Sequence, residues 1–340
     1  MRKLFMILIS FIFPVISVLP VSASNQINLD AAISQTAVYI LSRVQHPEVG
    51  TVGGEWAIIA LARSNHPVPD AYFQRYFRAV ERHVQEQNGV LHNRRLTEYS
   101  RVVLAMTAAG FDPRDVAGVD LTLPLGDFER VIWQGINGSI FALLALDSLE
   151  YAVPINANAQ TQATRELYVA EILRRQTFDG GWNMTAGING NVGRNEIGDS
   201  DITGMVLQAL AKYQDNPQVA GAIDRALTFL SRIQDNYGGF SSNHSNDVSS
   251  VESVAQVIVA LVELGIAVDD PRFVKNGNTL VDNLLSFGNP NGSFRHTNDS
   301  ELSSLMAAEQ ALYALVAVRR AAEGKNSLYR MSDRIERGIR

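Results

Sequence analysis

The chain has 340 residues, a formal net charge of −6 and no cysteine. The missing cysteine excludes disulfides, thiolate zinc sites and a cysteine nucleophile. The negative charge argues against nucleic acid and anionic membrane surfaces as partners.

The first 23 residues have the pattern of a secretory signal peptide. Arg2 and Lys3 precede an apolar stretch over 4–18, and 21–23 form a small-x-small cleavage site. Cleavage after Ala23 is predicted, with an uncleaved anchor as the alternative, although the apolar run is short for a membrane span. Because exported animal domains usually use disulfides, we interpret the chain as a bacterial secreted or cell-surface protein.

Two series of helices alternate along the remaining chain. The members of the first are amphipathic and are predicted to form an outer layer: 30–44, 69–84, 125–134, 164–176, 219–234 and 273–287. The members of the second are apolar on nearly all sides and are predicted to be buried: 55–64, 98–110, 139–148, 202–213, 251–265 and 302–318. Six helical hairpins indicate an all-α fold, an (α/α)6 barrel over 24–320, followed by a peripheral charged tail over 321–340.

A short motif recurs where an outer helix leads into an inner one. Its clearest copies are Gln176-x3-Gly180-x-Trp182 and Gln234-x3-Gly238-x-Phe240, and weaker copies end at Trp56, Leu91, Ile140 and Phe294. The spacing of roughly 35 to 58 residues is typical of one supersecondary unit per repeat.

The segment from Arg225 to Phe240 resembles the QW repeat of squalene and hopene cyclases, with Phe240 in place of Trp. The phrases Gly54-Glu55-Trp56-Ala57 and Glu98-Tyr99-Ser100-Arg101 resemble a secreted bacterial branch of the same superfamily, without an assigned reaction. The resemblance implies the α/α toroid of terpenoid cyclases and protein prenyltransferases.

The run Asp199-Ser200-Asp201-Ile202-Thr203 resembles the Asp-x-Asp-Asp-Thr motif of class II terpenoid cyclases, whose middle Asp protonates an alkene. By that resemblance Asp201 is the catalytic acid and Asp199 a supporting carboxylate. Ile202 departs from the motif and removes one neighbouring carboxylate. The structural alternative is that Asp199 or Ser200 caps a helix and Asp201 favours its dipole.

No metal and no cofactor are predicted. The prenyltransferase branch holds zinc with Asp, Cys and His, and this chain has no cysteine. The six histidines show no i, i+3 or i+4 pairing.

Polar residues interrupt the inner helices, where an unpartnered carboxylate would cost several kcal/mol. We expect them to meet in a central cavity at the N-terminal ends of these helices, with aromatic residues beside them. The candidate ligand-binding residues are Glu55, Trp56, Glu98, Tyr99, Arg101, Asn137, Trp182, Gln208, Glu252, Gln256, Gln310 and Tyr313.

Several functions remain open at this point. The first is an exported module that binds a small molecule in a polar cavity. The second is a class II-type terpenoid cyclase or isomerase that uses Asp201. A glycan-active enzyme would need two carboxylates ~5–10 Å apart, and Glu55, Glu98, Asp201 and Glu252 are its candidates. The fourth is a passive module with cell-surface association.

Overall fold

The computed structural model describes residues 23–241 and 248–338, so most of the predicted signal peptide lies outside the described residues. The outer helices are α1 (Ala23–Arg43), α3 (Asp70–Glu86), α5 (Phe128–Ile132), α7 (Arg165–Arg174), α9 (Pro217–Ile233) and α11 (Leu280–Ser286). The inner helices are α2 (Trp56–Arg63), α4 (Thr97–Ala108), α6 (Ile136–Asp147), α8 (Ser200–Leu210), α10 (Val251–Glu263) and α12 (Leu305–Ala322). Two short strands, β1 (Phe294–Arg295) and β2 (Ser303–Ser304), pair antiparallel before α12.

The inner helices form a closed ring. Each packs against the next along the chain, and α12 packs against α2. The outer helices lie against this ring, with α1 on α12, α9 on α8 and α11 on α10. Every residue of α10 is buried, as expected for a helix without a polar stripe. The predicted all-α barrel of six hairpins is confirmed.

The outer helix α11 is shorter than the periodicity over 273–287 predicts. A tight turn interrupts the pattern, with Lys275 and Asn278 bonded to each other through their backbones and with positive φ at Asn276 and Gly277. A right-handed helix cannot pass through two such residues. The helix therefore begins after this turn, where Thr279 and Asp282 form a capping box.

Side-chain caps define where the later inner helices begin. Asp199 accepts a hydrogen bond from the Ile202 N–H of α8 at 2.9 Å. Ser250 and Ser304 cap α10 and α12 in the same way. Because every inner helix follows an outer one, these N-termini lie together at one end of the barrel.

The glutamines of the repeated motif join neighbouring hairpins. The Gln176 amide donates to the carbonyl of Gly180 at 2.8 Å and to that of Ala222 in α9 at 2.9 Å. Gln234 makes the corresponding pair of bonds one hairpin later, to Gly238 and Phe273. Each amide thus ties its own turn to the next hairpin, which is a structural role.

The tail packs more closely than the sequence predicts for a peripheral segment. Leu328 and Met331 are fully buried. The Asp333 carboxylate accepts hydrogen bonds from the guanidinium groups of Arg63, at 2.8 Å, and Arg320. Because these arginines lie near the C-terminal ends of α2 and α12, the tail covers the end of the ring opposite the helix N-termini. None of the helices in the described part of the chain is long and apolar enough to cross a membrane.

Replacing Trp182 with alanine should destabilise the barrel by about 3–5 kcal/mol, because a fully buried indole leaves a cavity. Urea unfolding followed by circular dichroism would measure this change in the free energy of unfolding. The matched control is Phe178→Ala in the same turn, where the side chain is 71% exposed and the expected change is below about 0.5 kcal/mol. Equal losses of stability in the two variants would contradict a stabilising role for the buried Trp182 side chain.

Candidate functional site

Partly exposed side chains lie in the first two turns of the inner helices. Because these turns come together at one end of the closed ring, we infer that the side chains surround a space inside it, and we call this space the lumen. Its residues are Trp56, Glu98, Arg101, Asn137, Asp201, Met205 and Gln310, together with the nearly buried Phe141, Glu252 and Gln256 of α6 and α10. Residues three or four apart share a helix face, so each helix presents one or two of them.

One wall of the lumen is aromatic. The Trp56 ring lies 5.8 Å from that of Phe141 and 5.9 Å from that of Tyr313, tilted to both. Such tilted pairs stabilise the wall and leave ring faces and edges toward its surroundings. Trp56 retains partial exposure, so a bound molecule can contact it.

Carboxamides form a connected polar network beside this wall. The Gln208 amide donates to Gln256 Oε1 at 2.8 Å, and the Gln256 amide donates to Gln310 Oε1 at 3.2 Å and to the Tyr313 hydroxyl. The Tyr313 hydroxyl in turn donates to Gln310 Oε1 at 3.1 Å. The network satisfies groups that would be costly to bury alone, and it gives the lumen a polar side.

Two carboxyl groups and a histidine meet at the mouth of the lumen. Asp201 accepts hydrogen bonds from the hydroxyls of Ser200, at 3.2 Å, and Ser253. His296 Nδ1 lies 2.7 Å from Glu252 Oε2. The Glu252 side chain is 8% exposed and that of His296 is 55% exposed. We call Asp201, Glu252 and His296 the acid group.

Both carboxyls of the acid group have raised pKa values. Burial raises the pKa of Asp201, and the hydrogen bonds from Ser253 and Ser200 and the charge of His296 offset part of that rise. Burial also raises the pKa of Glu252, with His296 lowering it and Asp201 raising it further. Within the described ranges, Glu252 Oε1 is buried without a hydrogen-bond partner. A carboxyl with a raised pKa keeps its proton to a higher pH than usual, which makes it a candidate proton donor.

Glu252 brings a second carboxylate close to Asp201, although Ile202 departs from the cyclase motif. The Ile202 side chain is buried in the barrel wall, while Glu252 approaches from the neighbouring helix α10. His296 was absent from the sequence-based candidates. It comes from the β1–β2 connection, far from α10 in sequence, and a lone histidine in a loop carries no signal that could have identified it.

Three predicted site residues have structural roles instead. Asp199 is the cap of α8. Trp182 is fully buried, and its indole N–H donates to the Ile172 carbonyl at 2.8 Å. The Tyr99 hydroxyl accepts a hydrogen bond from the Leu91 N–H at 2.9 Å. Their polar atoms are used within the fold, so we no longer count them as ligand contacts.

Glu55 also lies behind the lumen wall rather than in it, since it is 1% exposed. Its Oε1 accepts hydrogen bonds from the Gly50 N–H at 2.9 Å and the Tyr76 hydroxyl at 3.2 Å. Arg101 Nε lies 3.7 Å from its Oε2. Burial raises the pKa of Glu55 to about 7, and Arg101 lowers it in part.

Glu309 is a second buried carboxyl beside Glu55 that the sequence did not single out. Its Oε1 accepts a hydrogen bond from the Gly53 N–H at 2.8 Å. Burial raises the pKa of Glu309 to about 8, and the charge of Glu55 adds to the rise. The helical periodicity of α12 did not separate Glu309 from Gln310, which was predicted.

The remaining polar candidates differ in their partners. Glu98 forms an ion pair with Arg95 at 2.7 Å, and its side chain is 15% exposed. Asn137 Oδ1 is buried and has no hydrogen-bond partner among the residues that the structure describes. Across the described ranges, no three His, Asp or Glu side chains come together as a metal site would require.

A cavity of about 400 Å³ lies at the opposite end of the barrel, away from the acid group. Its lining includes Leu144 and Asp147 of α6, Glu263 of α10 and Tyr329 of the tail. Gln208 also lines it, so the polar network reaches the wall of this cavity. Asp147 is neutralised by Arg165 and Lys212.

The fold matches solved structures of known activity. A type II terpene cyclase from Scytonema, MstE, in complex with its substrate geranylgeranyl dihydroxybenzoate, covers 89% of this chain and 99% of its own at 13% identity, with a TM-score of 0.56. Protein geranylgeranyltransferase-I from Candida albicans, complexed with GGPP, covers 83% of this chain and 90% of its own at 12% identity, with a TM-score of 0.56. The chain has the α/α-toroid fold of terpenoid cyclases and protein prenyltransferases.

Other toroids match equally well. A glycosidase covers 89% of this chain and 99% of its own at 11% identity, with a TM-score of 0.57. At such identities the likeness establishes the fold and not the reaction of the toroid. No protein-family model matches the sequence, and no curated protein matches it.

The stability of the toroid should fall as the pH rises from about 4.5 to about 8. The Glu309 pKa is raised from 4.5 to about 8 in the folded state. Its protonated form is therefore favoured by folding, and that contribution is complete below the unfolded pKa and lost as the pH passes the folded one. We expect a loss of a few kcal/mol over this window, measured by urea unfolding at each pH.

The Glu309→Gln variant should remove much of that loss, because the amide remains neutral. Glu86→Gln, at an exposed position of α3, is the matched control and should leave the pH profile unchanged. An identical profile in wild type and Glu309→Gln would show that Glu309 does not hold the extra proton.

Proposed function

We propose that the toroid binds a small molecule in the lumen and that Asp201 transfers a proton to it. The observation that carries this proposal is the acid group, in which a carboxyl with a raised pKa opens into the lumen beside a second carboxyl and a histidine. A perturbed carboxyl in a concave site is a candidate acid on physical grounds.

The lumen favours a molecule with one apolar and one polar part. Its aromatic wall, with Trp56 and Phe141, suits apolar carbon, and its carboxamides suit a polar head. Exposed apolar side chains also lie in the connections that lead into the inner helices and in the first turn of α12: Val52, Trp133, Met184, Ile188, Ile197, Leu302 and Met306. An isoprenoid that carries a polar group fits this division.

The reaction that this geometry suits is protonation of a carbon–carbon double bond. The Asp201 proton would form a new C–H bond at one alkene carbon and leave a carbocation at the other. The Asp201 carboxylate that remains would keep the hydrogen bonds from Ser200 and Ser253. The face of Trp56 could stabilise the positive charge. Attack by a second double bond of the substrate, followed by transfer of a proton from the resulting cation to water, would complete an isomerising cyclisation, and solvent would return a proton to Asp201.

The fold neighbours support isoprenoids as the first class to test. MstE is complexed with geranylgeranyl dihydroxybenzoate, and the geranylgeranyltransferase is complexed with GGPP. At 12–14% identity these neighbours indicate which compounds to test first and do not assign a substrate to this chain.

We also propose that 1–23 direct export, on the sequence pattern alone. N-terminal sequencing of protein recovered outside producing bacterial cells tests this step. A first residue of Ser24 supports cleavage, and an intact Met1 contradicts it.

The Asp201→Asn variant should lose product formation by about 100-fold or more, the usual contribution of a general acid. Purified protein would be incubated with geranylgeranyl dihydroxybenzoate, polyprenyl diphosphates and squalene, and products of unchanged mass but altered retention would be sought by mass spectrometry. Asp199→Asn is the matched control, since asparagine also caps helices. Its activity should stay within a few-fold of wild type.

Binding and catalysis are separated by a second readout. Quenching of Trp56 fluorescence by the same compounds reports binding, with Trp56→Phe as the blank. Quenching without any product would contradict proton transfer and leave a binding module. Product formation that survives in Asp201→Asn would contradict the assignment of the acid.

A further inference from the structure

An irregular turn at the start of the first inner helix is held by two buried carboxyl groups. This turn, Thr51–Glu55, leads directly into α2. Glu55 binds the N–H of Gly50 just before it, and Glu309 of α12 binds the N–H of Gly53 within it. The turn is therefore held between its own last residue and the last inner helix. We call the carboxyl groups of Glu55 and Glu309 the clamp.

Not every oxygen of the clamp has a hydrogen-bond partner in the described part of the chain. Oε2 of Glu55 and Oε2 of Glu309 are both buried and have no hydrogen-bond partner among the described residues, and the Tyr72 hydroxyl beside Glu309 has none there either. Arg101 is the cation nearest to Glu55, with Nε 3.7 Å from Oε2. One guanidinium compensates one carboxylate, so a second negative charge would be buried without a counterion, which costs several kcal/mol.

In the described part of the chain, the other groups that face the clamp do not supply a second positive charge. From α3, the Tyr76 hydroxyl donates a hydrogen bond to Glu55. Burial and the nearby charge of Glu309 raise the pKa of Tyr72, which is on the same helix. Arg75 of α3 is exposed and donates to the Gln45 carbonyl. From α4, Arg101 alone contributes charge to Glu55.

We propose that Glu55 and Glu309 share one proton and form a pH-sensitive latch that sets the position of the aromatic wall of the lumen. With the proton present, the pair carries one negative charge, which Arg101 balances. When the proton leaves, the two carboxylates repel each other and the turn separates from α12. The proposal is independent of the chemistry assigned to Asp201.

The latch acts on the lumen through two rings. Trp56 follows Glu55 directly in the chain, and Tyr313 lies one helical turn after Glu309. These rings are 5.9 Å apart. Separation of the two carboxyls therefore moves the two ends of one aromatic contact, and the shape of the binding wall depends on the proton.

The turn has the freedom to move. Val52 at its tip is 49% exposed, so it is not anchored in the core. Gly53 has φ +75°, in the left-handed region that glycine adopts readily. In this structure the turn packs closely against the residues before it, since a Cβ on Gly54 would lie 2.5 Å from the Glu48 carbonyl oxygen.

The raised pKa values place the transition near neutrality. Burial holds the pKa of Glu55 at about 7 and that of Glu309 at about 8. The pair is coupled, since the charge of Glu55 raises the pKa of Glu309. The second charge should therefore appear near the upper of these values.

The test is the fluorescence of Trp56 as a function of pH in a Trp133→Phe background, which removes the 57%-exposed indole. The buried Trp182 serves as a constant signal. We expect the emission maximum to shift to longer wavelength with a midpoint between about 7 and about 8. The shift should disappear in Trp56→Phe and in Glu309→Gln, with the latter keeping the low-pH spectrum throughout.

Glu263→Gln is the matched control, because Glu263 is another buried carboxyl of raised pKa, at the opposite end of the barrel. It should leave the midpoint unchanged. A shift that persists in Glu309→Gln, or no shift in the unaltered protein between about pH 6 and about pH 9, would overturn the latch. Infrared spectroscopy of the unaltered protein gives a second check, since a protonated carboxyl band must vanish through the same window.

Discussion

Closure of the inner ring is the constraint on which the rest of the structure depends. Once α12 packs against α2, every inner helix has an inner neighbour on both sides and an outer layer behind it. A side chain on such a helix can point toward another helix or toward the lumen. Apolar residues fill the contacts between helices, and polar ones in the first two turns are directed to the lumen or to each other.

That constraint explains why unusual acids gather at one end of the barrel. The first turns of α8 and α10 lie side by side, so Asp201 and Glu252 meet although 51 positions separate them in the sequence. Water reaches them only partly, and desolvation raises both pKa values. The same cause acts more strongly behind the wall, where Glu55 and Glu309 are almost fully buried.

The two acid clusters differ in what surrounds them. Asp201 has hydroxyl donors, and Glu252 has a half-exposed imidazole, so a charge there can be stabilised and exchanged with solvent. The Glu55–Glu309 clamp has one guanidinium at a longer distance and two unpartnered oxygens. The first arrangement suits proton transfer to a ligand, and the second suits retention of a proton within the fold.

The sequence by itself determined the architecture, because a helix that is buried on all sides is apolar on nearly all sides, whereas an outer helix is apolar on one face. The uniformly apolar α10 and the one-faced α9 could be assigned to their layers without coordinates. It also indicated which end of the inner helices carries polar groups. It could not separate a helix cap such as Asp199 from a carboxyl of raised pKa such as Asp201, since both are aspartates two residues apart.

Only the tertiary structure decided which groups face each other. Neither the helical pattern around Tyr99 nor the repeated motif that ends at Trp182 distinguishes these residues from lumen residues. Their polar atoms are nevertheless bonded to Leu91 and Ile172. His296 reaches Glu252 from a loop, and Glu309 reaches the turn before α2 from the other end of the chain. These contacts depend on distances across the closed ring, and periodicity along one helix contains no information about the helix that packs against it.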